Sequence, residues 1–297
     1  MSGSYRVGTR SSPLARAQTD LVVRRLRSAH RGLSFEIVPM VTAGDRRAGR
    51  ASSSDFTGTI ERALRDRRID LAVHSTKDLP ARDGPGLGIA AYPRRADPRD
   101  CLVARAWPLP RGARVGSSSA RRRAQLLRWR PDLRIVELRG NVGTRLGRVG
   151  SRGVDAVILA RAGLMRLHEE ARVSARLSVR RFLPPPGQGA LAVQARKGDR
   201  PLWKILRAID DPATRAAVEA ERALAEMLKA SCNAPLGSLG RVRDRRLSLR
   251  AEVVSPDGKR TVAAEATGSV RSPRAVARRL AARMIRAGAP ELLAAYR

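Results

Sequence analysis

The sequence is poor in cysteine, histidine and aromatic residues. Its 297 residues include two cysteines and three histidines, and Cys101 and Cys232 are too far apart for a CxxC or zinc-ligand spacing. We therefore expect no metal site. Three each of Trp, Tyr and Phe leave few rings that could stack on bases, so we expect no specific binding to nucleic acid.

Long apolar runs are also absent. No segment approaches the roughly 18 consecutive apolar residues of a membrane-spanning helix, and the first segment, MSGSYRVGTR, lacks the apolar centre of a signal peptide. These features predict a cytoplasmic protein that does not bind membranes. With 42% hydrophobic residues, the chain can form two or three domains of about 100 residues each.

Basic residues are in large excess over acidic ones. The chain has 60 Lys and Arg against 27 Asp and Glu, a formal net charge of +33. The arginines are spread along the chain and form no basic tail. Three explanations stay open from charge alone: an arginine-rich composition with solvated side chains, a polyanionic substrate, or nonspecific adhesion to nucleic acid.

Strand and helix patterns alternate in the first quarter of the chain. YRVGTR (residues 5–10) is predicted to be a strand, and the following SSP supplies an N-cap serine and an early proline for a helix to about Ala29. FEIVPMV (35–41) is the next strand, and a helical pattern over 56–68 leads into the apolar strand IDLAVHS (69–75). This order is typical of an α/β domain.

Two segments of this pattern recur later in the chain. RVGTRSSPLARAQ (residues 6–18) is similar to RVGSSSARRRAQ (114–125), and IDLAVHSTKD (69–78) is loosely similar to VDAVILARAG (154–163). Two related α/β halves would account for both pairs.

Turn-rich segments mark the predicted connections between the halves. YPRRADPRD (92–100) and FLPPPGQGA (182–190) would let the chain cross to a second half and return, leaving a cleft. After Asp211, a long helical pattern, a hairpin-like strand pair and a further helix predict a small α+β domain. The predicted domains are residues 1–93 with 190–208, residues 99–184, and residues 212–297.

Three turns carry groups that suit an anionic ligand. The two serine-rich turns place hydroxyl and backbone N–H groups at helix N-termini, and Arg10 and the run 121–123 add guanidinium groups. LRGNVGTRLGRV (138–149) adds Arg139 and Arg145, but lacks the spacing of a Walker loop or a GxGxxG motif. Simple helix capping is the alternative for each turn. Three such turns on one cleft would suit a ligand with several carboxylates.

Lys77 and Asp78 follow the buried strand in HSTKDLP, where open α/β sheets bind ligands. An ionised Asp78 could stabilise a cation, although a solvated turn is the simpler explanation. Of the cysteines, Cys101 at a strand start is expected to be a packing residue. Cys232 in ASCNAPLG could be a core residue, a metal ligand, a nucleophile or an attachment point, and no histidine nearby in sequence favours a thiol nucleophile.

Motifs along nearly the whole chain resemble the hydroxymethylbilane synthase family, also called porphobilinogen deaminases. The resemblance implies three domains, two α/β domains like type II periplasmic binding proteins with a double crossover and a small C-terminal α+β domain. The matching motifs occur in the family's order and are RVGTRSSPLA, VPMVTAGD, IDLAVHSTKDLP, DPRD, VGSSSARRRAQL, LRGNVGTRL, DAVILARAGLMRL, LPPPGQGALAVQAR and AERALAEMLKASCNAPLGS.

The resemblance also implies an activity and a cofactor. Family members condense four porphobilinogen molecules, with loss of ammonia, onto a covalent dipyrromethane cofactor and then release hydroxymethylbilane by hydrolysis, a step of porphyrin and haem biosynthesis. By resemblance, Cys232 is the thioether attachment point and Asp78 is the catalytic residue. The enzyme would be a monomer. The alternative hypothesis is a noncatalytic two-lobed protein on the same scaffold that binds anions or nucleic acid.

The remaining site residues are likewise implied by the resemblance. Residues matching the family's cofactor-binding groups are Ser75, Lys77, Ser117, Ser119, Arg121, Arg122, Arg139 and Arg145. Residues matching its substrate-binding groups are Arg10, Ser12, Arg166 and Gln188. GRASSSDFTGTI (49–60) departs from the family's glycine- and lysine-rich flap, and Arg46, Arg47 and Arg50 could replace its basic residues.

Overall fold

The computed structural model describes residues 3–42, 44, 53–151, 153–231, 233–294 and 296, with only the backbone described for residues 53–56. The chain divides into two compact units, Met1–Ala96 with Ala190–Arg215, and Asp97–Gly189 with Ala216–Arg297. The chain therefore leaves the first unit, returns to it and leaves it again, as the predicted double crossover requires. The predicted division into three domains, namely residues 1–93 with 190–208, residues 99–184 and residues 212–297, is not tested by these two units and stays a prediction.

Strands and helices alternate through both units. The strands are β1 (Gly3–Arg10), β2 (Leu33–Met40), β3 (Leu71–Ser75), β4 (Leu87–Ala91), β5 (Asp100–Ala104), β6 (Arg114–Gly116), β7 (Arg134–Val136), β8 (Ala156–Ala160), β9 (Ala175–Arg176), β10 (Leu191–Arg196), β11 (Leu236–Arg243), β12 (Arg246–Val254) and β13 (Thr261–Ser269). The helices are α1 (Pro13–Ala29), α2 (Ser53–Arg65), α3 (Ala120–Trp129), α4 (Val142–Leu146), α5 (Arg161–Arg166), α6 (Arg200–Leu206), α7 (Pro212–Met227), α8 (Pro273–Arg286) and α9 (Ala289–Ala294).

The first unit is built on a five-stranded mixed sheet with the order β2-β1-β3-β10-β4. β1 runs parallel to β2 and β3, whereas β10 runs antiparallel to β3 and β4. α1 and α6 pack against one core through Val22 and Leu202, and α2 packs against another through Ile60 and Leu64. Burial of β3 explains why its sequence is an almost uninterrupted apolar run.

The second unit contains a sheet of the same plan, with the order β7-β6-β8-β5-β9. β6 runs parallel to β7 and β8, and β5 runs antiparallel to β8 and β9. In each sheet the fourth strand is therefore the one that reverses direction. This shared topology confirms the predicted α/β class with two related halves.

Hydrogen bonds show that the sequence repeats occupy equivalent positions. Asp70 precedes β3 and accepts a hydrogen bond from the backbone N–H of Arg6 at 2.8 Å. Asp155 precedes β8 and accepts one from the backbone N–H of Arg114 at 2.7 Å. The repeated Arg-Val-Gly and Ile/Val-Asp pairs thus align the central parallel strands of both sheets.

The C-terminal part of the second unit is α+β, as predicted. β11, β12 and β13 form an antiparallel sheet, and α8 packs on it through residues such as Leu280 and Met284. β11 was not predicted, because Gly237 and Gly240 are poor strand formers. The backbone needs these glycines, since a Cβ on Gly240 would lie 2.8 Å from the carbonyl oxygen of Ala217.

Within the described part of the chain, no helix is both long enough and apolar enough to cross a lipid bilayer.

Candidate functional site

The predicted catalytic turn follows β3 in the first unit. Thr76, Lys77 and Asp78 form one turn of 3₁₀ helix, closed by a hydrogen bond of 3.1 Å from the N–H of Leu79 to the carbonyl of Thr76. Lys77 and Asp78 are half-buried, whereas Thr76 is buried. The turn thus holds an amine and a carboxylate next to each other at the carboxyl end of a core strand, where α/β sheets bind ligands.

Ser75, the last residue of β3, is connected to α1. Its hydroxyl donates a hydrogen bond of 3.0 Å to the side-chain oxygen of Gln18, which is buried. Gln18 was not predicted as a site residue. The internal repeat could have indicated Gln18, because both copies end in RAQ. Each copy places a buried glutamine, Gln18 or Gln125, at the same position of a helix.

Ser12 and Arg10 lie where β1 turns into α1. The hydroxyl of Ser12 caps the helix by accepting a hydrogen bond from the N–H of Ala15 at 3.4 Å, and Pro13 occupies the first helical position. Arg10 is the last residue of β1 and is half-buried. Capping is therefore one function of Ser12, and its contact with substrate stays a prediction.

The equivalent turn of the second unit contains Ser117 and Ser119. Ser119 caps α3 by accepting from the N–H of Arg122 at 3.5 Å, and the Ser117 hydroxyl accepts from the N–H of Ser119 at 3.2 Å. Ser117 is buried and Ser119 is half-buried. Both hydroxyls thus order the start of the helix that carries Arg121 and Arg122.

Arg121 and Arg122 bind the same buried carboxylate. The two oxygens of Asp100 accept hydrogen bonds of 2.7 Å, one from each guanidinium. Asp100 is 0% exposed, and Arg121 and Arg122 are 2% and 5% exposed. Burial opposes ionisation of Asp100, but the charges and hydrogen bonds of the two arginines outweigh it and hold the pKa of this carboxyl well below its usual range.

Gln188 lies on the other side of this carboxylate. Its side-chain amide donates to Asp100 at 2.9 Å and to the carbonyl of Pro98 at 2.8 Å, and the residue is fully buried. The neighbouring Gly187 donates its N–H to the buried carboxylate of Glu221 at 2.6 Å. Sequence reasoning missed Asp100 and Glu221, although DPRD gave a hint by placing an acidic residue at the start of an apolar strand.

The third predicted turn carries Arg139 and Arg145. Arg139 is exposed and forms an ion pair with Glu137, whereas Arg145 is half-buried on the five-residue helix α4. The side chain of Asn141 accepts from the N–H of Thr144 at 2.8 Å and so caps this helix. Arg145 is the fourth residue of α4.

Arg166 ends α5 in the second unit and is half-buried. Its guanidinium donates a hydrogen bond of 2.7 Å to the carbonyl of Gly189, next to Gln188. Two of the predicted substrate-binding residues, Arg166 and Gln188, therefore meet at the GQGA turn.

The structure describes one of the two cysteines, Cys101. Cys101 is a buried residue of the core, as expected, and burial and the neighbouring Asp100 raise the pKa of its thiol to about 11. Cys232, the predicted attachment point, lies outside the described residues. Residues 49–52 of the predicted flap, with Arg46, Arg47 and Arg50, also lie outside them, and residues 53–60 belong to α2.

The second unit offers a site that fits a carboxylate-bearing cofactor. Arg121 and Arg122 share one carboxylate and therefore retain one positive charge. Among the described residues, the buried Nε of neither arginine has a hydrogen-bond acceptor. A ligand carboxylate would supply the missing charge and acceptor. In the same residues, no group of three His, Cys, Asp or Glu side chains could hold a metal ion.

Comparisons with known proteins cover nearly the whole chain. The family model for the porphobilinogen deaminase dipyromethane cofactor binding domain matches residues 5–204, and that for the porphobilinogen deaminase C-terminal domain matches residues 215–286. A porphobilinogen deaminase of Acidothermus cellulolyticus is 48% identical, covering 98% of this chain and 91% of the relative. One from Thermus thermophilus is 43% identical and covers 98% of both chains. The chain therefore belongs to the porphobilinogen deaminase family, a family of transferases with a dipyrromethane cofactor.

Proposed function

We propose that this protein is a hydroxymethylbilane synthase. It would join four porphobilinogen molecules head to tail, with loss of one ammonia for each, and release the linear tetrapyrrole by hydrolysis. The observation that carries the proposal is the half-buried carboxylate of Asp78 beside Lys77 on the turn after β3. Family membership over both family models supports the choice of substrate.

Asp78 is proposed as the catalytic residue. When the aminomethyl group of porphobilinogen loses ammonia, positive charge develops on the pyrrole, and a carboxylate held nearby stabilises that charge. The 3₁₀ turn fixes Asp78 at the end of a core strand, so little reorganisation is needed during the reaction. Lys77, on the same turn, would bind a substrate or cofactor carboxylate.

Cys232 is proposed to hold the dipyrromethane through a thioether. When bound, this group supplies the terminal pyrrole carbon to which the first porphobilinogen is joined. The acetate and propionate groups of such a ligand need several cationic or hydrogen-bonding partners. We assign these cofactor contacts to Ser75, Lys77, Ser117, Ser119, Arg121, Arg122, Arg139 and Arg145.

Incoming porphobilinogen is proposed to contact Arg10, Ser12 and Arg166, whereas the predicted contact with Gln188 is replaced by an indirect role. Of these, Arg10 and Arg166 are half-buried cations with side chains long enough to reach a ligand carboxylate. Gln188 is fully buried on Asp100, so its contribution would be to hold that carboxylate rather than to touch substrate. We further propose that the enzyme is a cytoplasmic monomer, as expected for a small biosynthetic enzyme.

The first test is the intact mass of the purified protein together with ammonia release from porphobilinogen. We expect a mass greater than that of the chain by two pyrrole units, and stoichiometric ammonia. Asp78→Asn should lower turnover by at least about 100-fold, the usual effect of removing a group that stabilises developing charge. Asp83→Asn, five residues further on an exposed loop, is the matched control and should turn over normally.

The bare chain mass without any ammonia release would contradict the proposal. Salt-sensitive binding to DNA in such a protein would favour the noncatalytic alternative. Equal turnover in Asp78→Asn and wild type would remove Asp78 from its assigned role.

A further inference from the structure

The buried carboxylate of Asp100 lies between two arginines that the proposed function assigns to the cofactor. We infer that Asp100 is a positioning residue, which fixes the guanidinium groups of Arg121 and Arg122 as a receptor for a single ligand carboxylate. This inference rests on the proposed function and adds a residue that neither motif nor turn chemistry identified.

Charge is the first argument for a receptor. Two buried guanidinium groups face one buried carboxylate at 2.7 Å each, so the triad keeps one net positive charge. Glu252, a further acid that interacts electrostatically with Arg121, is already paired with Arg128 at 3.1 Å. A buried charge without a counterion is costly, and one more carboxylate would neutralise it.

Spare hydrogen-bonding capacity is the second argument. The Nε atoms of Arg121 and Arg122 are buried, and neither has an acceptor among the described residues. Buried donors are nearly always paired in folded proteins, so two unpaired guanidinium donors side by side indicate that an acceptor is still to bind.

Comparison of the two units provides the third argument. Ser12 and Ser119 cap equivalent helices, so Leu14 and Ala15 occupy the positions of Arg121 and Arg122. Leu191 pairs with Ser75 at the end of β3, as Asp100 pairs with Ala160 at the end of β8. The first unit therefore builds the same strand, turn and helix with three apolar residues. The fold therefore does not require the charged triad. We infer that the triad is present because it has a function.

Further hydrogen bonds hold Arg121 rigidly. One terminal nitrogen donates to the side-chain oxygen of Gln125 at 2.8 Å and to the carbonyl of Leu183 at 2.7 Å. The amide nitrogen of Gln125 in turn donates to Glu252 at 2.8 Å. Arg122 donates to the carbonyl of Ile158 at 3.1 Å. Both arginines are thus anchored at their terminal nitrogens.

Such anchoring matters because an arginine side chain is long and flexible. A free guanidinium would lose rotamer entropy on binding, whereas one already fixed by Asp100 would not. Asp100 also halves the charge of the pair, which suits the receptor to one carboxylate rather than two. We therefore expect Asp100 to increase both cofactor loading and the apparent affinity for porphobilinogen.

The test compares Asp100→Asn with Asp97→Asn in the full-length protein. Asp97 is a matched control because its carboxylate also accepts from two arginines, Arg99 and Arg161, at 2.6 Å each. Three measurements are made on each protein: cofactor loading by intact mass, KM and kcat from ammonia release, and the rise in Tm on addition of porphobilinogen.

We expect Asp97→Asn to lower Tm but to keep wild-type loading and a KM within twofold of wild type. Asp100→Asn should lose at least half of the cofactor mass or raise KM at least tenfold, and its Tm should respond less to porphobilinogen. If Asp100→Asn lowers Tm while loading, KM and the response to porphobilinogen all stay normal, the residue is merely structural and the inference is wrong.

A second variant tests the inference if Asp100→Asn does not fold. Asp100→Leu, Arg121→Leu and Arg122→Ala together introduce the apolar residues of the first unit. We expect this triple variant to fold, as judged by circular dichroism, and to carry no cofactor. Failure of the triple variant to fold, or normal loading in it, would overturn the inference.

These outcomes are distinct from failure of the proposed function. A wild-type protein that carries no cofactor and releases no ammonia refutes the function. In that case, the Tm response to porphobilinogen still decides the role of Asp100, because it reports carboxylate binding without turnover.

Discussion

Glu221 offers the sharpest test of how the second unit is held together. This residue of α7 is fully buried, and its two carboxylate oxygens accept backbone hydrogen bonds from Gly187 at 2.6 Å and from Gly240 at 2.7 Å. One side chain thus connects the GQGA turn with the edge strand β11. Glu221→Ala would remove both acceptors at once.

The expected loss of stability follows from these two hydrogen bonds. A buried N–H left without an acceptor costs about 1–3 kcal/mol, so two such groups give about 2–6 kcal/mol. Removal of a buried charge returns part of this, because the carboxylate no longer has to be desolvated. We expect a net loss of about 2–4 kcal/mol for Glu221→Ala. Glu221→Gln keeps one acceptor and should lose about half as much.

Urea unfolding at pH 7 measures the overall effect, and hydrogen exchange locates it. The amides of residues 187–190 and 236–243 should exchange faster in Glu221→Ala, whereas those of β12 should change less. Glu226→Ala is the matched control on the same helix, because its partner Arg274 is 63% exposed. The Glu226 side chain is 16% exposed, but an ion pair with one solvent-exposed partner contributes about 1 kcal/mol or less.

The reasoning would be refuted by a free energy of unfolding for Glu221→Ala within 1 kcal/mol of wild type. It would also be refuted by unchanged exchange at both segments, because either result would mean that other acceptors replace the carboxylate.

Two further predictions concern single residues. Burial opposes ionisation of Asp97, but hydrogen bonds from Arg99 and Arg161 lower its pKa from 3.8 to about 2, so its stabilisation of about 2 kcal/mol is present above pH 4 and disappears towards pH 2. The difference in unfolding free energy between wild type and Asp97→Asn should therefore shrink as the pH falls through this range, and a constant difference would contradict the assignment. Gly258→Ala should lower stability by more than about 1 kcal/mol, because Gly258 has φ +78° and a Cβ there would lie 2.5 Å from the backbone nitrogen of Arg128. Gly198→Ala, with open space around the new Cβ, is its control, and equal thermal unfolding of the two variants would disprove the clash.

Much of the fold could be predicted because local patterns and tertiary environment agree. The apolar run of β3 indicated a strand buried in a sheet, and SSP before α1 gave both the N-cap and the early proline. α2 begins at Ser53 and ends at Arg65, about three residues before the predicted limits at either end. β11 was missed because its glycines reflect the close approach of α7, a contact that no local pattern contains.

The candidate site was predicted in part. Turn chemistry and resemblance name the basic and serine residues as candidates, since cations and helix N-termini are visible in a sequence. Asp100, Gln18 and Glu221 were missed, because an acid or amide has no local mark that distinguishes a buried partner from a solvated residue. The excess of arginine is accounted for only in part by buried pairs such as Arg121 with Asp100.

The sequence by itself determined the α/β class, the internal repeat, the family and the residue types of the site, because these depend on periodicity, spacing and motif order. Only the tertiary structure decided that β5 and β10 run against their neighbours, and that one buried carboxylate serves both Arg121 and Arg122. Strand direction and charge pairing depend on contacts between residues far apart in the chain. Those contacts form only when the sheet brings their backbones together, so no local pattern specifies them.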